Sequence, residues 1–188
     1  MSATALSGNA GPAVPGVTIR PARPEDHAAI GALLVSTYGA LPGMPSPEQQ
    51  PAYYAMLADV AGRAARPALT IFVAADERGH LLGSIDFIAD MAQYGSGGSA
   101  STITDAAGIR LLAVDSAVRG RGVGKALTRS AIAHARDIAR TRLVLHTTKV
   151  MQTAWAMYDG LGFVRFPEID FQQGSLDVFG FQLDLTAP

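Results

Sequence analysis

The stretch that most constrains this chain runs from Ile109 to Leu127, Ile-Arg-Leu-Leu-Ala-Val-Asp-Ser-Ala-Val-Arg-Gly-Arg-Gly-Val-Gly-Lys-Ala-Leu. Leu111–Val114 is an apolar run of the length expected for a buried strand. Asp115 and Ser116 end it. A loop of Arg119, Gly120, Arg121, Gly122, Val123, Gly124 and Lys125 follows, and a helical pattern begins directly afterwards. Strand, glycine-rich turn and helix in succession present bare backbone N–H groups to an anion. Glycines let the main chain approach closely, and a helix N-terminus adds about half a positive charge. Arg119, Arg121 and Lys125 add full charges. By its chemistry the loop is a pyrophosphate cradle.

Two common cradles do not fit. A Walker A loop requires Gly-x-x-x-x-Gly-Lys-Ser/Thr; position 119 is Arg and position 126 is Ala, so the first glycine and the magnesium-binding hydroxyl are both missing. The dinucleotide fingerprint Gly-x-Gly-x-x-Gly fails at Lys125. Composition narrows the field further. The 188 residues carry a net charge of −1, which does not imply a general affinity for nucleic acid. Without cysteine there can be no disulfide, thiolate metal site or cysteine nucleophile. No apolar run approaches the ~20 residues of a membrane span, and no secretory signal is visible, so a cytoplasmic protein without membrane attachment is expected.

The remaining chain supports one domain over residues 17–188 behind a disordered Ser/Ala/Gly/Pro leader over 1–16. Val17–Pro21 alternates as a strand. Pro24-Glu25-Asp26 opens a helix with Ile30, Leu33, Leu34 and Tyr38 on its apolar face. Gly39–Pro47 is loop, and a second helix is predicted over Glu48–Ala64. Leu69–Ala75 and Leu81–Ile88 form a hairpin about Glu77-Arg-Gly-His. Met91–Ala107, rich in Gly, Ser, Ala and Thr, reads as a long loop. The helix after the cradle is expected to reach about Arg140, followed by a strand at Leu143–Thr148 and a short helix at Gln152–Gly160. Ala154, Met157, Tyr158 and Leu161 recur at helical spacing, so Tyr158 faces inward. Gly162–Phe166 and Asp177–Leu185 close the chain as strands, the latter a possible edge for a homodimer.

The spacing Arg119-x-x-Gly122-x-Gly124, preceded by Leu-Ala-Val-Asp, resembles the acetyl-CoA motif of the GCN5-related N-acetyltransferase (GNAT) superfamily, in a bacterial branch acting on small molecules or proteins. Tyr158-Asp-Gly-Leu-Gly-Phe163 resembles the family's second signature, and the element order matches from Val17 to Leu185. The resemblance implies an α/β (α+β) fold, a mixed twisted sheet of about seven strands with helices on both faces, splayed between the fourth and fifth strands. It implies acetyl-CoA as cosubstrate, with no metal, held by Leu112, Ala113 and Val114 and by the loop Arg119–Lys125. The backbone N–H of Val114 or a near neighbour would polarise the thioester carbonyl, and Tyr158 would donate to or orient the departing sulfur.

Two departures mark this chain. Many relatives carry Glu where Gly108 stands. Others carry a Glu five residues before a cofactor-contacting Asn, and those positions are here His146 and Met151. With an ordinary pKa of about 6.5, His146 is a competent base; a hydrogen-bonded core histidine is the alternative, and Asp86 with a relayed water is the second candidate. The acceptor walls are expected in Gly39–Pro47, Tyr53, Tyr54, the Met91–Gly98 loop with Tyr94, and Phe166–Gln173 with Glu168 and Asp170. Aromatics with a few acids would suit a cationic amine. The resulting expectation is acetyl transfer to a primary amine of a small molecule or protein. A non-catalytic acetyl-CoA sensor or partner module is the alternative, motivated by Gly108 and Met151.

Overall fold

The computed structural model describes residues 14–174 and 176–186. The leader expected over 1–16 therefore lies, up to residue 13, outside the described residues; Val14–Gly16 turn into the first strand, Val17 N–H bonding to Val14 O at 3.1 Å. The strands are β1 (Val17–Pro21), β2 (Leu69–Asp76), β3 (Leu81–Ile88), β4 (Ala106–Val114), β5 (Arg142–Thr147), β6 (Val164–Arg165), β7 (Phe171–Gln173) and β8 (Leu176–Asp184). The helices are α1 (His27–Gly39), α2 (Pro51–Ala58), α3 (Val60–Ala64), α4 (Val123–Asp137) and α5 (Gln152–Asp159). One mixed sheet runs β1-β2-β3-β4-β5-β8-β6, and β7 pairs with β8.

Alternation along β2 explains why both sheet faces are covered. Phe72 and Ala74 pack with Leu127, Ala131 and Ala135 of α4. Ile71 and Val73 join Ile30, Leu34 and Leu57 of α1 and α2 on the opposite face. At β4 this alternation is broken. Ser84 pairs with Ala113 but Asp86 with Arg110, so Ile85 opposes both Leu111 and Leu112. Leu111 takes a left-handed φ of 52°, the mark of a β-bulge. As a result Ile109 and Leu112 pack on the α4 side, while Leu111 and Ala113 pack on the α1 side.

The β4–β5 pairing is parallel and covers only Ala106–Ile109 against Arg142–Leu145. Beyond it, β4 continues to Val114 and stays with β3, whereas His146 and Thr147 stay with β8. This is the splay expected between the fourth and fifth strands. It opens at Arg110, just before the bulge.

Several boundaries differ from the sequence reading. The helix predicted over Glu48–Ala64 starts at Pro51 and breaks at Asp59, whose Oδ1 accepts from Gly62 N at 2.9 Å and caps a new turn. The fourth strand starts at Ala106 instead of Leu111, because small residues suffice where Leu143 and Val144 fill the parallel pair. The loop before it holds short 3-10 turns at Met91–Gln93 and Ala100–Thr102. β7, read as loop, is a short arm hairpinned onto β8. β8 is flanked by β5 on one side and by β6 and β7 on the other, so its aromatic stretch is not the free dimer edge that was considered.

Ile85 is fully buried opposite the bulge. Ile85→Ala is expected to cost about 2–5 kcal/mol, the range for deleting a large aliphatic core side chain. Urea denaturation checks this, and a loss below ~1 kcal/mol would show that the sheet collapses around the cavity.

Candidate active site

The cradle forms as its residues dictate. Asp115 Oδ1 accepts from Ala117 N at 2.9 Å and turns the chain out of β4. Gly120 and Gly122 then adopt φ of 77° and 87°, a region that costs an L side chain about 1–2 kcal/mol. Gly122 is the N-cap of α4 and no side chain caps it, so the first N–H groups of the helix face outward. Arg119 and Arg121 are exposed and Lys125 is half-buried beside them. At Gly124 a Cβ would make only ordinary contacts, 3.4 Å from Val114 Cγ2 and 3.5 Å from Met157 Sδ.

At the end of β4, Asp115 N donates to Leu82 O at 2.9 Å. Antiparallel ladders alternate their bonding direction, so the N–H groups of Val114 and Leu112 point away from β3, toward the splay. Thr147 and Thr148 lie at the other lip, and their buried hydroxyls have no hydrogen-bond partner among the described residues. An extended chain bearing amides would find both donors and acceptors here. The residue set therefore fits acetyl-CoA: a cationic, glycine-lined loop for its pyrophosphate and an unzipped strand edge for its pantetheine.

His146 sits on β5 at the mouth of the splay. Its Nε2 is 2.9 Å from Ile169 O, and a carbonyl can only accept, so Nε2 carries the proton. In the neutral ring Nδ1 is then the basic nitrogen. It lies 3.2 Å from Tyr94 Oη and 3.4 Å from Ser96 Oγ. Burial holds the His146 pKa below its ordinary value, partly offset by the Ile169 bond. Tyr94 and Phe171 pack against the ring.

Tyr94 also explains Gly108. A Cβ built on Gly108 would fall 2.5 Å from Tyr94 Cδ2 and Cε2. The aromatic ring takes the volume that a glutamate would need, and its hydroxyl reaches His146.

Tyr158 projects from α5, 6% exposed, against Phe163. None of the described residues hydrogen-bonds its hydroxyl, and burial pushes its pKa well above that of free tyrosine. Met151, the N-cap residue of α5, is half-buried against the α1–α2 cluster. Asp86 is 2% exposed and bound to Arg63, Nε to Oδ2 at 2.9 Å, which places it behind the site as an ion-pair partner and removes it as a base candidate.

A cleft of about 630 Å³ opens beside His146, walled by Tyr53, Met56, Tyr94, Arg110, Leu111 and Phe171 among others. Three expected wall residues fall elsewhere. Tyr54 is core, its hydroxyl bonded to Pro45 O. Glu168 is exposed, and Asp170 is held by Arg165 at 2.6 Å and by Gly180 N. The charged group facing the cleft is instead a cation, Arg110, which the sequence reading passed over. No sequence signal marks it, because the bulge beside it is set by pairing with the facing strand.

The model of the "Acetyltransferase (GNAT) family" matches residues 34–163. The chain belongs to this family. Among GNAT structures, an acetyltransferase of the family from Staphylococcus aureus Mu50 superposes with a TM-score of 0.69 at 15% identity, covering 90% of this chain and 99% of that one. The "histone acetyltransferase HPA2 and related acetyltransferase" from Corynebacterium glutamicum gives 0.70 at 21% identity, covering 92% and 98%. At the sequence level, N-acetyltransferase 8B of Mus musculus is 44% identical over 52 residues, which is 28% of this chain and 22% of that relative. The chain thus matches only about a fifth of that relative's length.

Gly108→Ala is expected to cost about 1–3 kcal/mol through overpacking against Tyr94. Denaturation of the variant measures this; full stability would mean that the Tyr94 ring is free to move aside.

Proposed function

We propose that the protein is an N-acetyltransferase that passes the acetyl group of acetyl-CoA directly to a primary amine of a small molecule or protein. The observation that carries this reading is the meeting of two spaces. The splay between β4 and β5, leading from the cradle, opens beside the cleft on which His146 Nδ1 faces. Bound acetyl-CoA supplies the electrophilic thioester carbonyl. The Val114 N–H, directed into the splay, stabilises negative charge on the carbonyl oxygen. His146, neutral at physiological pH, takes up the amine's proton through the hydroxyls of Tyr94 and Ser96. As the C–N bond forms, the C–S bond breaks and sulfur leaves with the electron pair. Tyr158 orients that sulfur by a hydrogen bond. Its raised pKa makes full proton transfer to a thiolate, whose free pKa is about 8.5, uphill. The chain has no cysteine, so a cysteine acyl-enzyme is excluded and direct attack is the simplest route. The GNAT family membership and the N-acetyltransferase names of its partial relatives support an amine acceptor. A cytoplasmic location remains part of this proposal; no described helix is long and apolar enough to cross a membrane.

Calorimetric titration with acetyl-CoA, run beside thiol release on a panel of amines, tests the reading. Binding with release is expected. Binding without release from any amine would make the protein an acetyl-CoA-binding module, and no binding would remove the cradle assignment. Gly122→Glu is expected to abolish binding by placing a side chain and a negative charge in the cradle.

Two variants separate the catalytic roles. Tyr158→Phe should lower kcat by roughly 10- to 100-fold, the worth of one hydrogen bond to a charged group, with acetyl-CoA affinity retained. Equal turnover would leave Tyr158 as packing. For His146 the sign follows from its lowered pKa: the neutral base is lost only as pH falls below about 6.5, so the acidic limb of kcat/KM lies below that pH. His146→Ala should flatten this limb, and an unchanged limb would exclude His146 as the base.

A further inference from the structure

Behind Tyr94 a second, small cavity of about 80 Å³ adjoins the acceptor cleft and shares Met56, Tyr94, Gly95 and Arg110 with it. Its charged lining is three arginines, Arg63, Arg66 and Arg110, and one carboxylate, Asp86. Arg63 is 5% exposed. It binds Asp86 through Nε and the carbonyls of Leu57 and Met56 through Nη1. Its Nη2 and the Asp86 Oδ1 are buried and have no partner among the described residues.

The other two cations hydrogen-bond only to neutral oxygens, and the Arg110 guanidinium also lies over the Tyr94 ring, 5.6 Å from its centroid. Arg66 Nη2 donates to Gln93 O at 2.6 Å. Arg110 Nη1 donates to Tyr94 O and Gly95 O, both at 2.8 Å. Their guanidinium groups converge at Gly95, where a built Cβ would stand 3.3 Å from nitrogens of both. Like charges gathered at a partly desolvated site repel unless an anion joins them. Asp86 neutralises only one of the three. The carbonyls aim the forks without cancelling their charge, and Arg63 Nη2 presents one more donor from behind. Arginine forks suit the paired oxygens of a planar oxyanion.

We propose that this cluster is the anion subsite of the acceptor cleft: the molecule whose amine is acetylated also carries a carboxylate or a like oxyanion, bound by Arg66 and Arg110 in front of Arg63. The proposal rests on the acetyltransferase reading above and deepens it by naming an amino-acid-type acceptor. Arg110 lies on β4 one residue before the bulge, and Val114 lies on the same strand. The strand therefore ties the anion end of the acceptor to the point where its amine reacts.

The test uses the full chain and matched compounds. Thiol release is compared for free amino acids, their carboxamides, the decarboxylated amines, aminoalkyl phosphonates and a diamine. A preference of at least tenfold in kcat/KM for an acid-bearing amine over its uncharged partner is expected, and the carboxylate and phosphonate arms distinguish the oxyanion. In Arg66→Gln and Arg110→Gln that preference should narrow at least tenfold, chiefly through KM; Arg63 is left intact because it anchors a buried ion pair. Equal or better use of the carboxamide or diamine would overturn the proposal, the cavity then holding solvent only. Should no amine release thiol, thermal unfolding with N-acetyl amino acids and their methyl amides decides the subsite independently. A carboxylate-specific rise in Tm, lost in both variants, supports it, and no carboxylate-specific rise overturns it.

Discussion

The site depends on one irregularity, the bulge at Leu111. By seating two residues opposite Ile85, it turns Arg110 and Leu111 to the same face and reverses the alternation of everything after them. The end of β4 then twists away from β5, and parallel pairing stops at Ile109–Leu145. The unpaired edge that results would be a liability on an outer strand. Here it lies inside the sheet, flanked by helices on both faces, where the proposed cosubstrate's backbone amides would meet its donors. The bulge strain at a non-glycine residue is sustained because fully buried Ile85 on the facing strand locks the register.

Gly108 and Tyr94 form a complementary pair: the absent side chain at 108 is what admits the ring. That ring spans the gap between the Met91–Gln93 turn and β5, and it orients His146 through Nδ1 while Ile169 orients Nε2. The tautomer is thereby set by two elements distant in sequence. Burial lowers the histidine's proton affinity, so the ring stays neutral in mildly acid solution, as the base role proposed above requires. The same ring separates the large cleft from the arginine cavity. One side chain thus borders both the reacting end and the charged end of the proposed acceptor space.

Much of this was legible in the residues. The strand–loop–helix from Ile109 to Leu127, the hairpin of β2 and β3, α1, α4, α5 and the inward Tyr158 follow from apolar periodicity and from glycine placement, which act over a few residues. The sheet order and the splay were legible only through the family resemblance. Less was legible around the acceptor. The break at Asp59 depends on one carboxylate capping Gly62, and β7 forms because a strand nine residues long is there to pair with it. Asp170 and Glu168 looked like pocket acids because their loop lies near the cleft, yet Arg165 draws Asp170 away.

What the sequence determined by itself is therefore the local chemistry: positive φ at Gly120 and Gly122, a cationic helix start, and a chain without cysteine. Only the tertiary structure decided which charges meet. Arg63, Arg66, Asp86 and Arg110 come from α3, the segment after it, β3 and β4, and no spacing rule links them. Their convergence exists because antiparallel pairing sets Asp86 against Arg110 and because α3 packs over β2. Periodicity reports which face of an element is buried, and it carries no information about the partner across the interface.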